Sequence, residues 1–370
     1  RRPPRSTLDR SSAASDVYKR QQKQVQKLHR ILRKKGPYHF DKKDRSWHVV
    51  TYKECQEVLS DTDLYSNVPV VDNRVTPDNH LLNLDPPDHT RLRKYAVQAF
   101  SPSRMAKHLP VIKEISKKYL DVLAYNGEVD FVKEYSLKIP LDIMCDIVGY
   151  TNHFYDNEKE LLNKWARETF GLLEGHHNVP TEWQNLTNQY IQFYRNRGDD
   201  SRLIYQLIQP DMVKNDIISM VQLLFTAGIE TTTDLINNIL LTIDSMPEMK
   251  KILEDKDLIP NFVDEVLRTN ASTPRLFSRW TKKNVVFNGN LVGPGTEVIV
   301  WVSSANMDES VFEDPEEFRL DRDKNQNLSF GYGIHMCVGQ ILAKTEAYHA
   351  TENILKHNTL VFHNNHHIYL

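Results

Sequence analysis

Apolar residues recur at helical spacing along most of the chain, and the longest such stretch lies in its middle. From about Asp216 to Ile243, the residues Ile217, Met220, Val221, Leu224, Leu235, Ile239 and Leu240 recur at helical spacing, which predicts one long central helix. Shorter helical patterns run from Met105 to Ala124, Leu137 to Val148, Glu158 to Leu173, Glu182 to Tyr194 and Ser201 to Ile208. An amphipathic helix over Val25–Arg33 stops at Gly36-Pro37, another runs through Glu54–Leu59, and Asp85-Pro86-Pro87-Asp88-His89 opens the next. Pro247 begins a further helix, and one more spans Pro260–Arg268. Strand patterns occur at Trp47–Thr51, Asn284–Phe287, Leu291–Val292 and Glu297–Val302, with turns at Asn288-Gly289 and near Pro294-Gly295. The predicted class is mainly α with a small β region (α+β), without internal repeats.

Length and composition narrow this picture. A chain of 370 residues would suit about two or three domains, yet no Gly/Ser-rich or Pro-rich linker interrupts its middle, so one large domain is expected. A formal net charge of −2 and a pI near 6.8 provide no global attraction for nucleic acid or an acidic membrane. No run approaches the ~18 apolar residues of a membrane span, and the mean hydropathy is −0.54. Cys55, Cys145 and Cys337 are odd in number and far apart, which fits a reducing cytoplasm. Residues from Arg1 to about Gln21 are basic, Ser/Pro-rich and without apolar periodicity, and read as a non-native leader. A transit peptide is the alternative, weakened by Asp9 and Asp16. His176-His177 and His357, His363, His366 and His367 offer no zinc-ligand spacing and read as loop histidines.

One segment carries specific chemistry. Phe330-Gly331-Tyr332-Gly333-Ile334-His335-Met336-Cys337-Val338-Gly339 is a Gly-rich loop that leads a cysteine toward a helix. Glycines permit positive φ and close approach of the backbone to a flat ligand, and a helix N-terminus favours a thiolate. Six specified positions at roughly 5% usage each recur in about one of tens of millions of windows. The segment resembles the haem-binding signature of the cytochrome P-450 family, Phe-Gly-x-Gly-x-His-x-Cys-x-Gly. The resemblance covers the chain from about residue 25 onward.

That resemblance implies a single P-450 domain over 22–370, with haem b between the long central helix and the helix after Cys337, the axial ligand of the iron. Phe330, Gly331, Ala227 and Gly228 would also border the haem. In Thr226-Ala227-Gly228-Ile229-Glu230-Thr231-Thr232-Thr233, Gly costs ~1 kcal/mol against Ala in a helix. The family places this stretch over the haem, with Thr231 bonding the bound oxygen and Glu230 relaying protons. A threonine there can also bond back to a carbonyl one turn earlier. Ala227 and Gly228 also have a plainer reading, as residues that permit close helix packing.

His89 and Arg93, four apart on one helical face, together with Arg279 and His335, are the expected partners of the haem propionates. Arg91 and Arg275 are weaker candidates. Glu265 and Arg268, with Arg322, are expected to form a structural network holding the cysteine loop. Leu223, Ala227, Leu276 and Phe277, with the segments around Tyr65–Leu84 and Leu172–Val179, would wall a pocket for a lipophilic small molecule.

The implied activity is monooxygenation with dioxygen. The sequence contains no flavin or nicotinamide module, so electrons would come from a ferredoxin-type or flavodoxin-type partner. A peroxide-driven peroxygenase or isomerase, and a non-catalytic haem sensor, are the alternatives. Two departures from the family stand out. Met307 occupies a usual arginine position, and the chain ends at Tyr369-Leu370, where the family adds a final hairpin, so a truncated C-terminus is expected.

Overall fold

The computed structural model describes residues 24–68, 70–71, 74–75, 81–126, 130–151, 153–170, 180–197, 201–322 and 326–356. The expected leader, the Leu172–Val179 wall, the paired histidines at 176 and 177 and the C-terminal histidines lie outside them. The chain opens with helix α1 (residues 24–35), strands β1 (Tyr38–Asp41) and β2 (Ser46–Val49), and helix α2 (Tyr52–Ser60). Short strands β3 (Tyr65–Ser66), β4 (Val70–Val71) and β5 (Arg74–Val75) precede helices α3 (Asp88–Ala99), α4 (Pro102–Asn126) and α5 (Lys138–Val148). Helices α6 (Glu158–Phe170), α7 (Thr181–Arg197) and α8 (Leu203–Leu207) lead to the central α9 (Lys214–Ser245). Then come α10 (Glu248–Ile252), α11 (Ile259–Thr269), strands β6 (Arg279–Thr281), β7 (Val285–Phe287), β8 (Asn290–Val292) and β9 (Glu297–Val300), and helices α12 (Val302–Ala305) and α13 (Gln340–Leu355).

Helix α9 is buried on nearly every side, with Ile217, Val221, Phe225, Ile229, Ile236 and Ile239 all fully enclosed. It packs against α5, α6, α11 and α13, as a helix apolar over most of its circumference must. The ~1 kcal/mol penalty of Gly228 is small beside the ~1.5–3 kcal/mol from each buried Ile or Phe. Packing therefore overrides local propensity, and the helix runs unbroken through the threonines.

A smaller core lies beside a five-stranded sheet of order β1-β2-β9-β6-β3. Strands β2 and β9 pair in parallel, with Trp47 opposite Val298, and the other neighbours are antiparallel. The sequence pattern missed β1, β3 and β6 because they are two to four residues long and gain their order from pairing. Two strand ends also differ from expectation. Thr51 caps α2 instead of extending β2, and the strand predicted to Val302 ends at Val300, because α12 begins at Val302. Asn288 and Gly289 adopt φ of 49° and 80°, the doubly left-handed turn that joins β7 to β8.

The connection from α12 to the cysteine loop is irregular, and a buried ionic network secures it. Arg268 and Glu265 are both 0% exposed and share two bonds, Nε to Oε2 at 2.8 Å and Nη2 to Oε1 at 2.7 Å. Arg322 Nε adds a bond to Glu265 Oε1 at 3.1 Å, and the Arg319 amide another at 3.0 Å. Burial alone would raise the Glu265 carboxyl, but these donors hold it below the usual carboxylate range. Arg268 also donates to the Asn306, Pro315 and Glu317 carbonyls. Met307, in the usual arginine position, places its sulfur 3.2 Å from Arg268 Nη1.

Asn306 continues the chain of contacts, accepting from the Leu328 amide at 2.7 Å and donating to Ser329 Oγ at 2.9 Å. The network thus reaches the residue before Phe330. Arg268→Met leaves buried Glu265 with only Arg322 and the Arg319 amide of the donors described, and should cost about 3 kcal/mol. The expected result is a lower urea midpoint at unchanged slope, together with reduced haem content in the purified protein.

Candidate functional site

The loop from Phe330 to Gly339 is shaped by its glycines. Gly331 and Gly333 adopt φ of +75° and +73°, and a Cβ on Gly333 would lie 2.5 Å from the Leu59 carbonyl oxygen of α2. Only glycine lets the loop sit so close to that helix. The Cys337 amide donates to the Phe330 carbonyl at 2.8 Å, closing the loop on itself. Helix α13 starts at Gln340, so Cys337 precedes the helix by three residues instead of opening it. The Gly339 amide lies near enough to the sulfur to favour its charged form, and a Cβ at Gly339 would stand 3.9 Å from it.

Cys337 is surface-accessible, yet protein surrounds it closely enough that burial pushes its thiol up, with the Gly339 amide and Arg93 opposing. A thiol in such surroundings is inert until a metal displaces its proton. Cys55 and Cys145, by contrast, are buried, and burial pushes both thiols far up.

Beside this sulfur, nitrogen-bearing side chains converge from separate elements. His89 and Arg93 come from α3, Arg279 from β6 and His335 from the loop. The rings of His89 and His335 lie 4.1 Å apart. His89 Nε2 and both His335 ring nitrogens are buried without a hydrogen-bond partner; the Leu84 carbonyl approaches His335 outside good geometry. Arg279, 4% exposed, donates only to the Phe277 and Ser278 carbonyls, at 2.8 and 3.3 Å. Burial lowers its guanidinium to about 10, with only Asp85 opposing. Arg93 donates to the Met336 carbonyl.

Burial, then His89, Arg279 and Arg93, push His335 down to about 2, while burial and Arg93 lower His89 to about 4. Buried positive charge and orphaned ring nitrogens call for an anionic partner. Two carboxylates beside a thiolate-bound iron would supply it, so these residues fit haem. Arg91 is turned away, bonded to Asp216 at 2.8 Å.

On α9, Thr231 Oγ1 donates to the Ala227 carbonyl at 2.7 Å, the back-bond expected for threonine in a helix. Gly228 has a packing role, since a Cβ there would come within 2.6 Å of the Met144 sulfur on α5. Glu230 Oε1 is buried and unbonded, with Arg167 Nε of α6 at 3.6 Å. Burial raises the Glu230 carboxyl and Arg167 opposes it. One turn on, burial and then Glu230 push Asp234 up to about 7.

Sequence reasoning missed Arg167, Met144 and Asp234. Only Asp234 had a readable signal, its four-residue spacing from Glu230. It also missed Glu346 on α13, which is fully enclosed with both oxygens unbonded; burial raises its carboxyl well above the ordinary value.

Of the expected pocket walls, Leu223 is buried on α9. Leu276 is tied to the sheet by its amide bond to Val300, 2.9 Å, and its Cδ1 lies 3.7 Å from where a Gly331 Cβ would be. Phe277 follows in the same turn and is half-buried. Tyr65 and Leu81 are buried. Among the described residues, no helix is long and apolar enough to cross a membrane.

Comparison with known proteins agrees with this geometry. The model of the family described as Cytochrome P450 matches residues 244–367. Cytochrome P450 107B1 of Saccharopolyspora erythraea is 30% identical over 330 residues, covering 84% of this chain and 81% of the relative. The crystal structure of CYP109E1 from Bacillus megaterium in complex with testosterone superposes with a TM-score of 0.78 at 27% identity, covering 89% of this chain and 90% of that one. P450BioI, solved in complex with hexadec-9Z-enoic acid ligated acyl carrier protein, gives a TM-score of 0.81 at 26% identity, covering 90% and 91%. Similarity of this extent over most of both chains, around a cysteine loop flanked by unpaired cationic groups, means that the chain belongs to the cytochrome P450 family.

Proposed function

We propose that this cytochrome P450 monooxygenase holds haem b through Cys337, with His89, Arg93, Arg279 and His335 meeting the propionates and Phe330 and Gly331 bordering the ring. The observation that carries the reading is the gathering of Arg93, Arg279 and two neutral histidines beside one thiol, with no carboxylate within ion-pair distance of Arg93 or Arg279 among the described residues. Bound there, haem would activate dioxygen for insertion of one oxygen atom into a C–H bond, the thiolate ligand favouring O–O cleavage.

The residues of α9 manage the protons. Thr231 Oγ1 is held in one orientation by donating to the Ala227 carbonyl, so its lone pairs face away from that carbonyl and can accept a hydrogen bond from water or from the protonated Glu230 carboxyl. Glu230 stands one residue earlier with an unbonded oxygen, and its raised carboxyl holds a proton more readily than an exposed glutamate would. Leu223, Ala227, Leu276 and Phe277 present apolar surface, which selects a lipophilic substrate and excludes water. The bound testosterone and hexadecenoic acid of the two similar structures support that class. The electron donor is read as a separate ferredoxin-type or flavodoxin-type protein, and the compartment as the cytoplasm, which suits the unpaired Cys55 and Cys145.

Reduced protein treated with carbon monoxide should show the red-shifted Soret band of thiolate ligation, and Cys337→Ala should lose that band entirely. A wild-type spectrum typical of imidazole ligation would reject the assignment. Thr231→Ala should keep its haem while product per electron falls about tenfold or more and peroxide rises to match, measured with a surrogate redox partner. Unchanged coupling would remove Thr231 from proton delivery.

A further inference from the structure

Helix α9 carries a polar ribbon that the reading above uses only in part. Gln222, Thr226, Glu230 and Asp234 follow one another at four-residue spacing on an otherwise apolar helix, and therefore lie along one side of it. Gln222 Nε2, Thr226 Oγ1 and Glu230 Oε1 are each buried without a hydrogen-bond partner. Atoms of that kind are normally satisfied, so the ribbon calls for water as its partner.

Exposure is graded along the end that matters. Asp234 is exposed, the Glu230 side chain is 22% exposed, and Thr231 is half-buried with its hydroxyl turned to Ala227. A carboxyl open to solvent thus stands one turn from a mostly enclosed carboxyl, which adjoins the alcohol.

The charges around them favour a proton resting on Asp234 and ease release of the Glu230 proton toward Thr231. The cation on this side is Arg167 of α6, 3.6 Å from Glu230 Oε1, a position that stabilises negative charge on Glu230 and not on Asp234. Several charged groups on the other elements packed against α9 are engaged elsewhere, and Glu346 of α13 is enclosed and unbonded. Lys138 of α5 is held by Glu134 at 2.6 Å, Asp146 of α5 by Arg202, Arg268 of α11 by Glu265 at 2.7 Å, and Lys344 of α13 by Asp264 at 2.6 Å. Although Asp234 is surface-accessible, protein crowds its carboxyl, and that burial, then the Glu230 charge, hold it up at about 7.

We propose that Asp234 is the proton-loading carboxyl of this enzyme: it takes a proton from solvent and passes it through water to the Glu230 carboxylate after Glu230 has given its own proton toward Thr231. This rests on the proton-delivery role of Glu230 and Thr231. One proton enters and one leaves Asp234 in each cycle; no electron moves through it, the electrons arriving from the redox partner. Asp234 does not touch the reacting atoms and is a positioning residue for protons.

The test uses the haem-loaded protein and has a readout independent of turnover. Infrared spectra of the wild type should contain a carboxylic-acid carbonyl band that disappears as pH rises through about 7. Asp234→Asn should remove that band and leave the pH-insensitive band of the enclosed, protonated Glu346. In turnover, product per electron should fall as pH rises through the same range in the wild type. In Asp234→Asn it should be about tenfold lower at the acidic end and flat with pH, with a larger solvent isotope effect, and Asp234→Glu should restore the profile. An Asp234→Asn variant that keeps the titrating band and the wild-type pH profile overturns the proposal. If Thr231→Ala uncouples while Asp234→Asn does not, the proposal alone fails; if neither uncouples, the proton-delivery reading fails with it.

Discussion

A guanidinium taken fully out of water is tolerated only where every donor finds an acceptor and a counter-charge stands beside it. Arg268 meets that condition through Glu265 and a ring of carbonyls drawn from Asn306, Pro315 and Glu317. Because those carbonyls belong to the irregular stretch between α12 and the cysteine loop, the ion pair fixes backbone that has no regular hydrogen-bond ladder of its own. Asn306 and Ser329 carry the constraint to Phe330. The backbone leading into the Cys337 loop therefore depends on a network that lies outside that loop.

The site is built from opposites. On the cysteine side, positive charge and orphaned ring nitrogens collect around His335, a costly arrangement for the protein alone that a dianionic ligand offsets. On the α9 side, burial raises the Glu230 carboxyl against Arg167, and burial and then the Glu230 charge raise that of Asp234. On the proposed reading, haem binding would draw on the first set of groups and proton handling on the second. Gly228 shows how closely the two demands share space: it faces Met144 of α5, so its small size serves helix packing, while neighbouring Ala227 receives the Thr231 hydroxyl.

The cysteine loop was legible in the sequence because its chemistry is local: glycines with positive φ, a histidine and a cysteine within ten consecutive residues. The central helix was legible because its apolar spacing extends over many turns, which averages out the weak propensity of Gly228 and the threonines. His89, Arg93, Arg279 and His335 were picked out only through resemblance, since each alone looks like a solvated charge. Arg167 gave no signal at all, because its meaning lies in a contact between α6 and α9 that sequence spacing cannot express. The short strands β1, β3 and β6 were missed for the same reason.

By itself, then, the sequence determined the helical class, the glycine-shaped cysteine loop and the row of polar residues on α9, all of them properties of spacing and backbone freedom within one segment. The tertiary structure alone decided which cations lack counter-ions, that Gly228 is filled by Met144, that Arg167 stands over Glu230, and that Glu346 is sealed from water. Those depend on which segments meet. Burial and charge pairing are properties of the assembled interior, where the dielectric falls and each polar atom must find its partner across the fold.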